Sequence, residues 1–412
     1  MPANPQDRVI LRELATQVAE IAALPIQQET IAAWKAINGL KPVRPMFMMD
    51  QLPWHELNVD DELTARCEDG FCRGLEWGLR ATLYLWRHMR ADMVVEPFVD
   101  LPKAIGNTGF GLGAVENQLA TDPANSVVSH QYIGQLRTEA DIAKIKDPVV
   151  SHDEAATAQA EEIAHGIFDG ILGVRMQGVA PVLAPFDIIV GWCGVEGLIL
   201  DLADRPEFIH AIVQRLTEAH LRMLDQYEAQ GLLANHQQLI HCTGAYTDEL
   251  PAPDFDPAHP RARDLWTYGM SQIFSTVSPR MHEEFELPYL TPWFERFGIA
   301  YYGCCEPLDR KLAMIRKLPK VRKVSMSPWV DIELGASQIG GDFVFSRKPS
   351  PAFLARDTWT PALVEADLQE TLDACQRHGC PVELILKDVS TCRYQPQRLW
   401  EWNEIARRLV EA

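Results

Sequence analysis

Hydrophobic residues recur every three or four positions along the first 40 residues, with a break at Pro25, and this spacing predicts a pair of amphipathic helices. Beyond residue 40, short apolar runs alternate with longer stretches of helical spacing. The apolar runs predict buried strands at 43–49, 91–99, 179–190, 236–242, 298–303, 321–327, 342–346 and 382–387. The stretches between them predict helices at 63–89, 153–170, 205–230, 278–297, 307–317, 361–378 and 396–410.

Alternating buried strands and amphipathic helices are typical of a parallel sheet, because each crossover helix covers an apolar face of that sheet. Eight such strands predict an α/β fold that closes into a (β/α)8 barrel. An open doubly wound sheet is the alternative, but its first turn is usually rich in glycine, and no such turn follows Met49. We therefore expect an N-terminal helical cap over 1–40 and a single barrel over 41–412, with an insertion or lid at about 106–165.

Composition narrows the possible partners of the 412-residue chain. Its formal net charge of -19 opposes binding to nucleic acid or to an anionic membrane surface. No apolar run approaches the roughly 18 residues of a membrane span. Nine cysteines in a chain of this length, without a secretory signal in MPANPQDRVI, favour reduced thiols and a cytoplasmic location.

In a barrel the catalytic groups lie at the carboxyl ends of the strands, so the polar residues that follow predicted strands are the candidates for a site. These residues are Asp50, Glu96, His241, Cys304, Cys305, Glu306, Trp329, Arg347, Lys348, Lys387 and Asp388. Imidazole and thiolate are ligand types of zinc, which makes His241, Cys304 and Cys305 candidate metal ligands. The alternative is that the cysteines are buried, inert hydrophobic residues.

The charged candidates also have two interpretations each. Lys387 and Asp388 suit a general acid and base, or a structural ion pair. Arg347 and Lys348 suit recognition of a substrate carboxylate or phosphate, or they are solvent-exposed. Trp329 suits the wall of a substrate pocket, although aromatic residues at such positions are more often part of the core.

Several segments, in order, resemble the uroporphyrinogen decarboxylase superfamily from about residue 40 to the end of the chain. They are RPMFMMD (44–50), GVAPVLAPFD (178–187), SPRMHEEFELPYL (278–290), YYGCCEPLD (301–309), FSRKPSP (345–351) and KDVST (387–391). The resemblance implies the same barrel fold. It does not extend to the porphyrinogen-binding Arg-Gln-Ala-Gly-Arg after the first strand, which is replaced by MDQLPWH (49–55), so decarboxylation of uroporphyrinogen is not expected.

The same superfamily includes methyltransferases that lack these arginines and move methyl groups between a corrinoid protein and a thiol. Their zinc is held by a His-x-Cys pair and a later cysteine. The first pair corresponds here to Gly303-Cys304-Cys305, which keeps the thiolate and loses the histidine, and the later cysteine falls near Val389 or Ser390 with Cys392 close by. We therefore expect a rearranged site that uses His241, Cys304 or Cys305, and Glu306.

The resemblance makes methyl transfer the first functional hypothesis, with zinc as cofactor and a separate corrinoid protein as partner, since the chain has no Asp-x-His-x-x-Gly corrinoid motif. Expected roles are metal binding by His241, Cys304 and Cys305, and proton handling by Glu306, Lys387 or Asp388. The expected substrate-binding residues are Asp50, Glu96, Trp329, Arg347 and Lys348. Members of the superfamily are often dimers, so a homodimer is possible.

Two alternatives remain open. The first is a metal-free decarboxylase or lyase for a small carboxylic acid, in which Arg347, Lys348 and Lys387 bind the carboxylate and Asp50 or Asp388 protonates the carbanion. The second is a non-catalytic binding protein. The density of ionisable groups at the strand ends argues against the second, because buried charges are costly to keep without a use.

Overall fold

The computed structural model describes residues 4–120, 123, 125 and 128–412. Its α-helices are α1 (Pro5–Ala22), α2 (Ile26–Asn38), α3 (Gly70–His88), α4 (Glu154–Phe168), α5 (Pro185–Cys193), α6 (Val195–Asp204), α7 (Pro206–Ala229), α8 (Pro279–Arg296), α9 (Leu312–Ile315), α10 (Ile332–Ile339), α11 (Ala352–Ala355), α12 (Pro361–His378) and α13 (Gln397–Val410). Its strands are β1 (Met46–Met49), β2 (Phe98–Pro102), β3 (Ile105–Asn107), β4 (Glu116–Leu119), β5 (Ser129–Tyr132), β6 (Val150–His152), β7 (Gly173–Gln177), β8 (Leu239–Ile240), β9 (Thr243–Gly244), β10 (Trp266–Gly269), β11 (Ile299–Tyr302), β12 (Val321–Met326), β13 (Val344–Arg347) and β14 (Val382–Leu386). Short 3-10 helices lie at Trp54–Glu56, Glu139–Lys144, Ala262–Asp264 and Gln272–Thr276.

The centre of the fold is a parallel sheet of six strands in the order β1-β14-β13-β12-β11-β10. The β1 and β14 strands are buried along their whole length, as expected for a parallel sheet covered by helices on its outer face. The mixed α/β class expected from the sequence is thus confirmed.

Backbone hydrogen bonds close this sheet only in part. β2 and β7 make a separate parallel pair, and a single parallel bridge joins Leu183 to Gly269 at the β10 edge. At the β1 edge, the N–H of Asp92 donates to the carbonyl of Phe47 at 3.0 Å. The chain before β2 thus contacts one edge of the central sheet and the chain after β7 contacts the other, but the hydrogen-bonded sheet itself is not a closed ring. The eight-stranded barrel stays a prediction.

The structure corrects three of the predicted strands, 91–99, 179–190 and 236–242. Only Phe98 and Val99 of the first belong to a strand, β2. The apolar run 179–190 is not one strand, because Pro185 occupies the first turn of α5 and only Val179 and Leu183 make bridges. Continuous apolar runs do not distinguish a buried strand from a buried helix, which explains the error. The segment 236–242 enters an antiparallel hairpin, β8 and β9, and β10 was not anticipated.

The segment over 106–165 lies outside the central sheet. It contains the β4–β5 hairpin, strand β6, which pairs with β3 in an antiparallel manner, and the first part of α4. At the N-terminus, α1 packs against α3 and α4, while α2 reaches the β8–β9 hairpin. The side-chain amide of Asn38 donates to the carbonyls of Gly244 and Tyr246, at 3.0 and 2.7 Å.

A fully buried ion pair fixes the β8–β9 hairpin to the inner face of the sheet. The Lys323 ammonium lies 2.8 Å from the Glu383 carboxylate and 3.1 Å from both the Thr243 hydroxyl and the Gly244 carbonyl. The Thr243 hydroxyl donates to the same carboxylate at 2.7 Å. Two charges out of water are tolerated only when they are paired and hydrogen-bonded, and this arrangement joins β12, β14 and the hairpin.

We expect Glu383→Gln to lower the free energy of unfolding by about 3–5 kcal/mol, because it leaves the Lys323 ammonium buried without a counter-ion. Urea unfolding measures the change. The matched control is Glu333→Gln, which breaks an exposed pair with Arg377 and should have almost no effect. Equal effects of the two substitutions would contradict the structural role of the buried pair.

Candidate functional site

The candidate site forms where the carboxyl ends of β11 and β14 meet. β11 leads into Gly303, Cys304 and Cys305, and β14 leads into Lys387 and Asp388. Two strands lie between β11 and β14, so in a flat sheet they would be about 14 Å apart. Strong curvature of the sheet instead brings the Lys387 ammonium to 3.4 Å from the Cys304 sulfur and 3.8 Å from the Cys305 sulfur.

These four side chains make a compact charged cluster. The two sulfurs are 3.5 Å apart, the Lys387 ammonium is 2.5 Å from the Asp388 carboxylate, and the Cys305 sulfur is 3.5 Å from that same carboxylate. A hydrogen bond from Cys305, together with the charge of Lys387, outweighs burial and lowers the pKa of Cys304. Burial disfavours the charged form of Lys387, but the two sulfurs and Asp388 outweigh it and raise the pKa of the ammonium. The arrangement favours a thiolate paired with an ammonium.

The Glu306 carboxylate binds the backbone of the turn that contains Cys304 and Cys305, and its hydrogen bonds are not made to the sulfurs. Its carboxylate is fully buried and accepts the N–H of Cys304 at 2.9 Å and of Ser271 at 3.2 Å. The Ser325 hydroxyl donates to the carbonyl of Cys304 at 2.6 Å. Burial, with some contribution from the nearby Glu286, raises the pKa of Glu306. Glu306 thus holds the backbone of the cysteine turn, and its expected proton-handling role stays a prediction.

A second buried polar cluster surrounds Glu286, which sequence reasoning missed. The Ser271 hydroxyl donates to Glu286 at 2.7 Å, and His282 and the Tyr302 hydroxyl also contact its carboxylate. Asp187 lies nearby, and burial raises the pKa of its carboxyl to about 6. The spacing of His282 and Glu286 by four residues on one helix was the signal that could have found this cluster.

His241 and Cys242 form the two-residue tip of the β8–β9 hairpin, since Ile240 pairs with Thr243. Both have positive φ, 43° and 71°, as a two-residue hairpin turn of type I′ requires. Such turns favour Asn-Gly, and positive φ costs other residues on the order of 1–3 kcal/mol each. Strain of this kind is often found at functional sites.

The His241 ring is buried between Tyr268 and Tyr301, with ring centres 4.6 and 5.0 Å away. Burial, and then the charges of Lys348 and Lys387, hold the pKa of His241 well below its usual value. Its Nε2 is buried and has no hydrogen-bond partner among the described residues. The imidazole is therefore neutral, and its Nε2 is an unused hydrogen-bonding atom next to the lysines.

Lys348 and Arg347 are adjacent but lie on opposite faces of β13. The Lys348 ammonium points inward and donates to Tyr301 at 2.6 Å and Ser346 at 2.8 Å, and burial lowers its pKa to about 8. Arg347 points outward and pairs with Asp367 on α12 at 3.1 Å. The pleat of a strand separates successive side chains, so only Lys348 joins the cluster and Arg347 is not placed to bind a substrate there.

The remaining predicted residues lie in three different environments. Glu96 is held by Arg175, His236 and Tyr246, each at 2.9 Å. Burial opposes its ionisation, but His236 and Arg175 outweigh this and lower its pKa to about 2. Trp329 is 77% exposed. Asp50 lines a cavity beside β1.

The metal ligands expected from sequence do not come together as a set. Among residues 4–120, 123, 125 and 128–412, no three histidine, cysteine or acidic side chains are grouped so that they could hold a metal ion. The Lys387 ammonium instead occupies the space beside both sulfurs.

Comparison with known proteins bears on the fold. A methyltransferase from Methanosarcina mazei is similar in structure, with a TM-score of 0.50 and 12% sequence identity over 93% of this chain and 99% of that protein. No protein-family model matches the chain, and no curated protein matches its sequence. In the described part of the chain, no helix has both the length and the apolar character needed to cross a membrane. The chain thus shares its overall fold with a methyltransferase.

We expect Lys387→Met to move the pH midpoint of cysteine alkylation upward, because the thiolate loses its counter-ion. Iodoacetamide labelling of the peptide that contains Cys304 and Cys305, followed by mass spectrometry across a pH series, measures the midpoint. At pH 7 labelling should slow about tenfold or more. Lys317→Met, which changes an exposed lysine, is the control, and an unshifted midpoint for Lys387→Met would contradict the thiolate–ammonium pair.

We also expect His241→Asn to raise the free energy of unfolding by about 1 kcal/mol, because asparagine tolerates positive φ better than histidine. The same substitution should impair whatever activity the site has, since it removes the buried imidazole. Thermal or urea unfolding tests the first effect. A clear loss of stability would show that the ring serves packing rather than function.

Proposed function

We propose that the protein is a methyltransferase that moves a methyl group between a small methylated substrate or thiol and a corrinoid protein, with the Cys304–Cys305 pair as its sulfur nucleophile. The observation that carries this proposal is the Lys387 ammonium within 3.8 Å of both sulfurs at the carboxyl end of the sheet. Similarity in fold to a methyltransferase agrees with it. The corrinoid partner is supported by the family resemblance alone.

The chemistry follows from the charge on sulfur. A thiolate, unlike a thiol, attacks a methyl carbon directly. A carbon–sulfur bond forms while the bond to the donor atom breaks, and the donor atom keeps the electron pair. In a second displacement the acceptor attacks the methyl carbon, the carbon–sulfur bond breaks, and the sulfur recovers the electron pair of the thiolate. Lys387 stabilises the thiolate before attack, and Asp388 helps Lys387 to stay protonated. Cys304 is the thiolate of the pair, and the Cys305 thiol supports its charge by donating a hydrogen bond to it.

Zinc, the cofactor expected from the resemblance, does not fit the residues as they are arranged. A catalytic zinc needs about three ligands, with sulfur about 2.3 Å from the metal. Here an ammonium lies against the two sulfurs, and the described residues contain no group of three suitable ligands. The proposed reaction needs no metal, because the positive charge beside the sulfurs is that of Lys387.

Methylcobalamin is the probe for this function. Mixed with the purified full-length chain, it should transfer its methyl group to the cysteine pair, detected as cob(I)alamin by absorbance and as one added methyl group by intact-protein mass. Cys304→Ser and Cys305→Ser should lower the yield strongly, and Lys387→Met should slow transfer about ten- to hundredfold near pH 7, because less thiolate is present. The rate should rise with pH as the thiolate forms.

Cys193→Ser is the matched control, since Cys193 is a free cysteine on α5, outside the cluster. It should transfer as the unaltered protein does. Absence of any methyl on the unaltered protein, or undiminished transfer in the double variant of Cys304 and Cys305, would refute the proposal.

A second candidate function is a metal-free decarboxylase or lyase that acts on a small carboxylic acid. It is favoured by one observation, the fully buried Lys348, whose ammonium lies beside Tyr301 near the cysteine cluster. Lys348 and Lys387 would bind the carboxylate, and Asp50 or Asp388 would protonate the carbanion. This reaction does not need sulfur, so an activity that survives Cys304→Ser and Cys305→Ser would favour it.

A further inference from the structure

A cavity of about 400 Å³ lies between α3, β1, the segment 92–100 and the β8–β9 hairpin. The Asp92 side chain interrupts the backbone pairing of β1 at the position of this cavity. Its carboxylate accepts the N–H of Phe47 at 2.8 Å, where a neighbouring strand would otherwise supply a carbonyl. Backbone pairing between β1 and the chain before β2 stops there, and the opening is left beside the sheet.

The cavity is mostly apolar and has room for a small ring. Met48, Leu75, Leu79 and Val94 contribute to its lining. Two glycines of α3, Gly74 and Gly78, also face it, and a Cβ added at either would meet nothing within 4 Å. The volume lies within the range of small-molecule sites.

All four charged residues that line the cavity are acidic: Asp50, Asp92, Glu96 and Asp100. Asp92 pairs with Arg44 at 2.6 Å, and Arg175 pairs with both Glu96 and Asp100, at 2.9 and 2.5 Å. Asp50 differs, because it accepts the N–H of Gln51 at 2.7 Å and forms no ion pair with any basic side chain of the described chain. The cavity therefore contains one carboxylate without a counter-ion.

Asp50 also connects the cavity to the cysteine cluster. Met49 pairs with Leu386 in the sheet, and the N–H of Asp50 donates to the carbonyl of Leu386 at 2.9 Å. Lys387 directly follows Leu386 in the sequence. The backbones of Asp50 and Lys387 are therefore neighbours, about one strand spacing apart. A molecule in the cavity with its charge at Asp50 thus lies beside the strand end that carries Lys387.

We propose that this cavity binds the methyl donor, and that the donor is a small cation, a quaternary ammonium or sulfonium with an apolar substituent, whose counter-ion is Asp50. This inference rests on the proposed methyl transfer. Attack by the thiolate forms the carbon–sulfur bond and breaks the bond from carbon to nitrogen or sulfur. The leaving atom keeps the electron pair, so thiolate and cation both become neutral.

Phenyltrimethylammonium is the probe, with benzoate as its anionic counterpart. Isothermal titration calorimetry with the full chain should detect binding of the cation and none of benzoate. Asp50→Asn should weaken binding of the cation about tenfold or more, because the buried charge loses its counter-ion. Gly78→Leu, which fills the cavity from the surface of α3, should abolish binding.

Gly166→Leu is the matched control for the helix substitution. Gly166 also lies on an α-helix with nothing within 4 Å of an added Cβ, but it is not part of the cavity lining. It should bind as the unaltered protein does, and circular dichroism and unfolding temperature confirm that both variants fold.

Failure of this inference is distinguishable from failure of the methyl-transfer proposal. Absence of binding to the unaltered protein, stronger binding of benzoate, or equal binding by Gly78→Leu would overturn the cavity assignment, whatever methylcobalamin does. Binding that depends on Asp50 and Gly78, in a protein that accepts no methyl on Cys304 or Cys305, would leave a cation site and refute methyl transfer.

Discussion

Placement of positive charge inside the curved sheet is the constraint on which the rest of the structure depends. Three buried lysines, Lys323, Lys348 and Lys387, lie on β12, at the end of β13 and at the end of β14. Charge removed from water must be matched by an opposite charge or by hydrogen bonds. The three lysines have different partners. These differences distinguish the end of the sheet where buried charge stabilises the fold from the end that carries the proposed nucleophile.

At the amino end, Lys323 has a carboxylate, a hydroxyl and a carbonyl as partners, so its charge is fully satisfied and serves cohesion. Lys348 donates to the hydroxyls of Tyr301 and Ser346 and has no carboxylate among its hydrogen-bond partners in the described chain, and burial lowers its pKa as it does that of Lys323. At the carboxyl end, Lys387 is matched by Asp388 and by sulfur. Of these three lysines, only Lys387 contacts an ionised sulfur. The proposed nucleophile therefore lies at the carboxyl end of the sheet.

The β8–β9 hairpin links these two ends. Its base is held by the Lys323–Glu383 pair, which allows its tip to remain in an unfavourable backbone conformation. Local strain persists only where surrounding contacts are strong enough to impose it. The buried ion pair therefore has a consequence at the site, since it holds His241 and Cys242 inside the sheet near the lysines.

Much of this site was predictable from the sequence, because polar residues after buried strands identify the carboxyl edge of a parallel sheet whatever its exact strand count. Cys304 and Lys387 were found in this way. The side of the strand on which Arg347 lies was also predictable, because successive side chains of a strand point to opposite faces and Arg347 directly precedes Lys348. The hairpin was not, because 236–242 resembles a short strand and periodicity does not show that the chain reverses at His241.

An ammonium beside the cysteine pair affects the sulfur differently from the metal that the family resemblance predicts. A metal ion bonded to a thiolate withdraws electron density from the sulfur, whereas an ammonium at 3.4 Å stabilises the negative charge through an electrostatic contact and leaves the sulfur lone pairs free. An ammonium can also release its proton. In the proposed reaction a methyl group neutralises the thiolate, so Lys387 loses its stabilising partner and becomes easier to deprotonate. Charge at this end of the sheet is therefore coupled to the state of the cysteine pair, and Asp388, which keeps its contact with Lys387, limits how far that coupling goes.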